Sequence, residues 1–143
     1  MKFKLWLHEN IEDVATKIFV MKSPYTPNGW KFDHIGFVLQ NGLLKDMSGH
    51  RYDQEGIHPL PPVTYKYEDT EKLFHMPKNK QEAILKGLYQ EKSLPKPVVV
   101  PNVVVCNSKE KAVNCGSFIK IVLSNNGIET TQSNMPFDIF NSI

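Results

Sequence analysis

The chain has 143 residues, the length of one ordinary domain, and we read residues 1–143 as a single unit. A hydrophobic fraction of 41% with 22% charged residues excludes wholesale disorder and supplies a core. The net charge of +2 is small, and Lys and Arg are spread along the chain without a basic stripe interleaved with aromatics, so no nucleic-acid partner is expected. No 18-residue apolar run is present, and a membrane span is not expected. The opening segment starts like an export signal, but His8, Glu9 and Asn10 break its apolar stretch. Phe3, Leu5 and Leu7 alternate there as on a first strand. A cytoplasmic location follows as an expectation, and the two thiols, Cys106 and Cys115, fit a reducing compartment. Two thiols and five histidines without ligand spacing do not make a structural zinc set, so neither metal nor cofactor is expected. Oligomeric state is not legible.

In chain order, residues 17–21 (KIFVM) are apolar and rich in β-branched and aromatic types, which predicts a buried strand ended by Ser23 and Pro24, with a capped helix beginning over 10–20 as the alternative. Residues 24–30 read as a loop and 34–39 (HIGFVL) as a strand. Asn41 and Gly42 signal a hairpin, with 43–48 returning. Residues 49–62 read as an irregular loop, then 63–68 and 72–76 as strands. Ala83, Ile84, Leu88 and Tyr89 share a stripe that predicts a helix over 79–91. Pro95, Pro97 and Pro101 predict an extended connector, because proline fixes φ and removes a donor. Phe118, Ile119, Val122 and Leu123 predict a helix over 115–124, closed near Gly127, and residues 135–140 suggest a short final turn. The sum is an α+β fold, a mostly antiparallel sheet packed with helices.

The hairpin register is open to argument. With a three-residue loop at Gln40, Asn41 and Gly42, Gly42 takes the left-handed conformation and Leu39 opposes Leu43. Ile35, Phe37, Leu39, Leu43 and Met47 then share a core face, with Lys45 the exception. Gly36 faces Asp46, Ser48 faces His34, and Asp46 becomes a diagonal neighbour of His34. A two-residue loop would place Asp46 on the apolar face without an evident partner, which is costly. A carboxylate beside a histidine holds its tautomer and stabilises the imidazolium. A plain surface hydrogen bond between the two fits the same spacing.

Cys115 opens the second helix behind Asn114, a favoured N-cap. In a first turn, the helix dipole and unpaired N–H groups favour thiolate and can hold an oxyanion. Gly116 and Ser117 leave room around the sulfur. A buried structural cysteine fits this position as well. Cys106 is the rival nucleophile, but it follows Val103, Val104 and Val105, which reads as burial. Tyr25, Trp30, His50, Arg51 and Tyr52 lie in the loops and read as packing before cleft.

Residues 114–123 (NCGSFIKIVL) resemble the asparagine–cysteine helix of the permuted papain-like cysteine hydrolases, which include lecithin:retinol acyltransferase relatives and permuted NlpC-type cell-wall peptidases. Residues 33–39 (DHIGFVL) resemble their histidine strand, which precedes the cysteine helix, and 17–21 the strand before it. Residues 135–140 are similar to the terminal segment of small phage and bacterial members. The resemblance covers about a third of the chain. It implies a circularly permuted papain-like fold, Cys115 as nucleophile, His34 as general base and Asp46 as its orienting group. His50 competes with Asp46 for that last role. Residues 49–105 match nothing in the pattern, so the substrate stays open.

Three functions follow as expectations. The first is a thiol hydrolase acting on a peptide, an isopeptide or a peptidoglycan stem peptide through a Cys115 thioester. The second is an acyltransferase of the same chemistry. The third is a non-enzymatic, phage-type binding protein that blocks a host factor, with Cys115 and His34 structural.

Overall fold

A computed structural model describes residues 13–23, 26–46, 50–53, 56–59, 80–100 and 115–143. The expected strands at residues 3–7, 63–68 and 72–76 lie outside these residues, as do Tyr25, Met47, Ser48, Cys106 and Asn114. The elements are β1 (Asp13–Met21), β2 (His34–Leu39), β3 (Leu44–Lys45), β4 (His50–Asp53), β5 (Gly56–Pro59), α1 (Lys80–Leu85), β6 (Tyr89–Val100), α2 (Cys115–Asn125) and α3 (Pro136–Asn141). The six strands form one sheet in the order β5-β4-β3-β2-β1-β6, and every pair is antiparallel. The fold is α+β, as its sequence pattern predicts.

The hairpin has the three-residue register. Phe37 pairs with Lys45 and Val38 with Leu44. The Leu39 amide donates to the Leu43 carbonyl at 2.8 Å, and the Gly42 amide to the Leu39 carbonyl at 2.9 Å. Gly42 has φ of +85°, a conformation in which a Cβ is strained.

Both faces of β2 are covered, so all six of its residues are buried. On one face Ile18, Val20, Ile35, Phe37 and Leu39 pack with Phe118, Ile119, Val122 and Leu123 of α2 and with Ile139 and Phe140 of α3. On the other, Phe19, Met21, Val38, Leu44 and Tyr89 pack with Ala83 of α1. Lys45, the polar exception on the hydrophobic face, is buried and reaches Asp13 Oδ2 with its Nζ at 3.1 Å.

Three expectations are corrected. Residues 49–62 are not an irregular loop throughout, because β4 and β5 form a second hairpin with Asp53 opposite Gly56. Its residues lack apolar alternation, and Pro59 is tolerated because β5 ends the sheet order. The helix at 79–91 stops at Leu85, since Gly87 turns the chain at φ of +70°, and Tyr89 joins β6 instead. Pro95 and Pro97 lie within β6 rather than in a connector. The pairing of β1 with β6 jumps from Ala15–Val98 to Lys17–Ser93, so the prolines sit in a bulge where no ladder donor is needed.

Helix α2 ends as predicted near Gly127, whose φ is +77°. The Ile128 amide bonds the Leu123 carbonyl at 2.9 Å and the Gly127 amide bonds the Ser124 carbonyl at 3.0 Å. These two bonds satisfy end carbonyls, and Leu123 and Ile128 are both buried beside them. Just before Gly127, the Asn126 side chain accepts from the Val99 amide at 3.0 Å and donates to the Val99 carbonyl at 3.2 Å, tying the helix end to β6.

Candidate active site

Three elements carry the residues that the sequence singled out. His34 opens β2, Asp46 follows β3, and Cys115 opens α2. The hairpin register sets Asp46 diagonally across from His34, and its Oδ2 lies 2.9 Å from His34 Nε2. His34 is 2% exposed, Asp46 1% and Cys115 5%. Among the described residues the buried polar side chains are Ser23, Asp33, His34, Lys45 and Asp46, and all except Lys45 gather here.

Two glycines admit the close packing. Gly36 lets the Phe19 ring lie over β2, where a Cβ would collide with its edge. Phe19 then stacks on Tyr89 at 5.4 Å and meets the His34 ring at 6.0 Å. Gly116 lets the backbone of Asn134 press against the start of α2, with the Asn134 carbonyl where a Cβ would stand. A small residue after Cys115 is therefore required by the approach of another segment, beyond the room it leaves around sulfur.

The electrostatics centre on His34. Burial, the largest influence, works against its charged form, but the hydrogen bond to Asp46, then the hydrogen bond and charge of Cys115, outweigh it and push the pKa up to about 10. The ring thus carries its proton at neutral pH, held between a carboxylate and a sulfur. Asp46, one of the two residues that the sequence offered as partner to His34, makes this bond, and the backbone places the other, His50, on β4.

One contributor was missed from sequence. Asp33, next to His34, is buried and accepts from the Ser23 amide through Oδ1 at 2.7 Å and from the Ser23 hydroxyl through Oδ2. Its backbone carbonyl lies 3.8 Å from Cys115 Sγ, at the limit for a thiol donor. The visible signal was an Asp beside the motif histidine and a Ser ending the previous strand, two residues that ordinarily cap turns.

No group of three or more His, Cys, Asp or Glu side chains suited to a metal occurs among the described residues. No helix among them is long and apolar enough to cross a membrane. No family model matches the chain, and neither a curated protein nor a solved structure is found to resemble it.

Proposed function

We propose that the chain is a cysteine hydrolase of the permuted papain-like kind that its motifs resemble, cleaving an amide through a Cys115 thioester. The observation that supports this reading is the buried meeting of Asp46, His34 and Cys115, from two strands and the first turn of a helix. A histidine bonded to Asp46 through Nε2 has Nδ1 to serve the sulfur. In the reaction, the Cys115 thiolate adds to the acyl carbon and the C–S bond forms. As the C–N bond breaks, the protonated His34 ring gives its proton to the departing amine. Neutral His34 then takes a proton from water as its oxygen attacks the thioester; the C–S bond breaks, releasing the acid and returning Cys115 as thiolate beside a protonated His34. Asp46 orients the ring throughout, and N–H groups of the first turn of α2 face the developing oxyanion.

Burial of the sulfur favours a second reading, a binding protein in which the three residues are structural. Alkylation of the full chain with iodoacetamide at pH 7, read by peptide mass, separates the two. A hydrolase labels at Cys115 well before Cys106, and His34→Ala slows that labelling about a hundredfold. Labelling of both thiols only after denaturation would leave the binding protein. An acyl group passed from a model thioester to an amine in preference to water would mark an acyltransferase.

A further inference from the structure

The dipeptide Asn-Gly occurs three times, at Asn28–Gly29, Asn41–Gly42 and Asn126–Gly127. In this pair the side-chain amide lies open to attack by the following backbone nitrogen, since glycine puts no Cβ in the way. All three glycines have positive φ and mark turns, but the turns differ in what they hold fixed. Asn126–Gly127 is locked. The Asn126 side chain accepts from the Val99 amide and donates to the carbonyls of Val99 and Val122, and the Gly127 amide donates to the Ser124 carbonyl at 3.0 Å. Asn41–Gly42 is held more lightly. The Gly42 amide donates to the Leu39 carbonyl at 2.9 Å, and Asn41 Oδ1 accepts from the Leu43 amide at 3.1 Å. At Asn28–Gly29 both residues are exposed, and among the described residues neither the Asn28 side chain nor the Gly29 amide has a hydrogen-bond partner. One bond closes the turn around them, from the Trp30 amide to the Pro27 carbonyl at 3.1 Å, and the space beside the Gly29 Cα is open.

We propose that Asn28 is a site of spontaneous deamidation, with the Gly29 backbone nitrogen as nucleophile and water as co-reactant. The Gly29 nitrogen gives up its proton to hydroxide and bonds to Asn28 Cγ. The bond from Cγ to Nδ2 breaks, and the nitrogen takes a proton from water and leaves as ammonia. Water then adds to either carbonyl of the resulting succinimide and the ring C–N bond at that carbonyl breaks, giving aspartate or isoaspartate. The net change is one water consumed and one ammonia released. Reaching the attacking geometry needs only rotation about the residue 28 backbone, which a turn closed by a single exposed bond permits. The same rotation at Asn126 would break the bonds that tie the end of α2 to β6. The product sets a carboxylate three residues before Lys31 in the loop joining β1 to β2, and its isoaspartyl form adds a backbone carbon ahead of Asp33 and His34. None of this depends on the chemistry proposed for Cys115.

The test is timed storage of the folded full chain in mildly alkaline buffer, then tryptic digestion and mass spectrometry with fragmentation, which reads residues 28, 41 and 126 in separate peptides. Asn28 should convert first, Asn41 more slowly, and Asn126 at least about tenfold behind Asn28, because its bonds must open before the ring can form. Isoaspartate should appear beside aspartate at residue 28, since both carbonyls of the ring are open to water. In denaturant the three rates should converge, as each asparagine is then followed by an unrestrained glycine. Asn41 or Asn126 keeping pace with Asn28 in the folded chain would overturn the proposal. The same order persisting in denaturant would also overturn it, by assigning the difference to neighbouring residues rather than to the fold. Aspartate alone at residue 28 would mean direct hydrolysis and remove Gly29 as the nucleophile.

Discussion

At the scale of single residues, His34 ties stability to pH. Its proton is held to about pH 10 in the folded chain, against an ordinary value of 6.5. A raised folded pKa contributes stability that is complete below about pH 6.5 and is lost as the pH climbs toward 10. The melting temperature should fall across that window, with a few kcal/mol at stake. Asp46→Asn removes the strongest influence that raises the pKa, so the slope should flatten and the acid-side stability should drop toward the alkaline value. Melts at half-unit pH steps on both proteins check this; parallel curves would mean that the pair does not govern the proton. The same residues show what a sequence can tell. Spacing and turn chemistry sufficed to bring Asp46 to His34, because side chains on a hairpin face alternate strictly and a slip of one residue would have buried the carboxylate on the apolar face. Asp33 escaped notice because its contact with the sulfur is made by a backbone carbonyl, which no residue type announces.

At the scale of elements, the site depends on how closely α2 approaches its neighbours. Gly116→Ala places a methyl against the Asn134 backbone, which has no rotamer with which to retreat. Gly36→Ala sets one against the Phe19 ring and within 2.9 Å of the Lys45 carbonyl. Each should cost about 1–3 kcal/mol. Gly116→Ala should in addition slow Cys115 alkylation, because the helix start must shift to make room. Denaturant unfolding and labelling rates measured together check the pair, and equal labelling in both variants would show that the start of α2 tolerates displacement. Elements with a clean period, β1, β2 and α2, were legible from the chain alone. Helix α1 was overextended because Leu88 and Tyr89 continue a helical stripe, and only the left-handed turn at Gly87 shows that they leave it. The hairpin of β4 and β5 was invisible because it has no apolar alternation to announce it.

At the scale of the whole molecule, the sheet is sandwiched unevenly. Two helices with a large aromatic and aliphatic cluster lie on one face, and a smaller cluster around Phe19 and Tyr89 lies on the other. Sequence reasoning anticipated the class, since strands and helices alternate with the correct periods. It did not anticipate that the face carrying His34 is also covered, because the cover comes from Phe19 on the neighbouring strand and from Tyr89, far along the chain on β6. Burial on both faces is what removes His34 from water and gives Asp46 and Cys115 their hold on its proton.

Among the described residues β6 is the outermost strand on its side of the sheet, which has a consequence for behaviour in a crowded solution. A long outermost strand offers a template on which a second chain can add, the route by which many β-proteins form fibres. Here the proline bulge at residues 94–97 interrupts the template midway, and the Asn126 amide occupies both backbone groups of Val99 beyond it. Asn126→Ala combined with Pro95→Val and Pro97→Val should leave the monomer folded yet shorten the lag before turbidity and thioflavin signal develop on heating. An unchanged lag would mean that other parts of the chain already shield this border. On this view the prolines that read as a connector in the sequence act as a guard against self-association, a duty that concerns every copy of the protein and none of its chemistry.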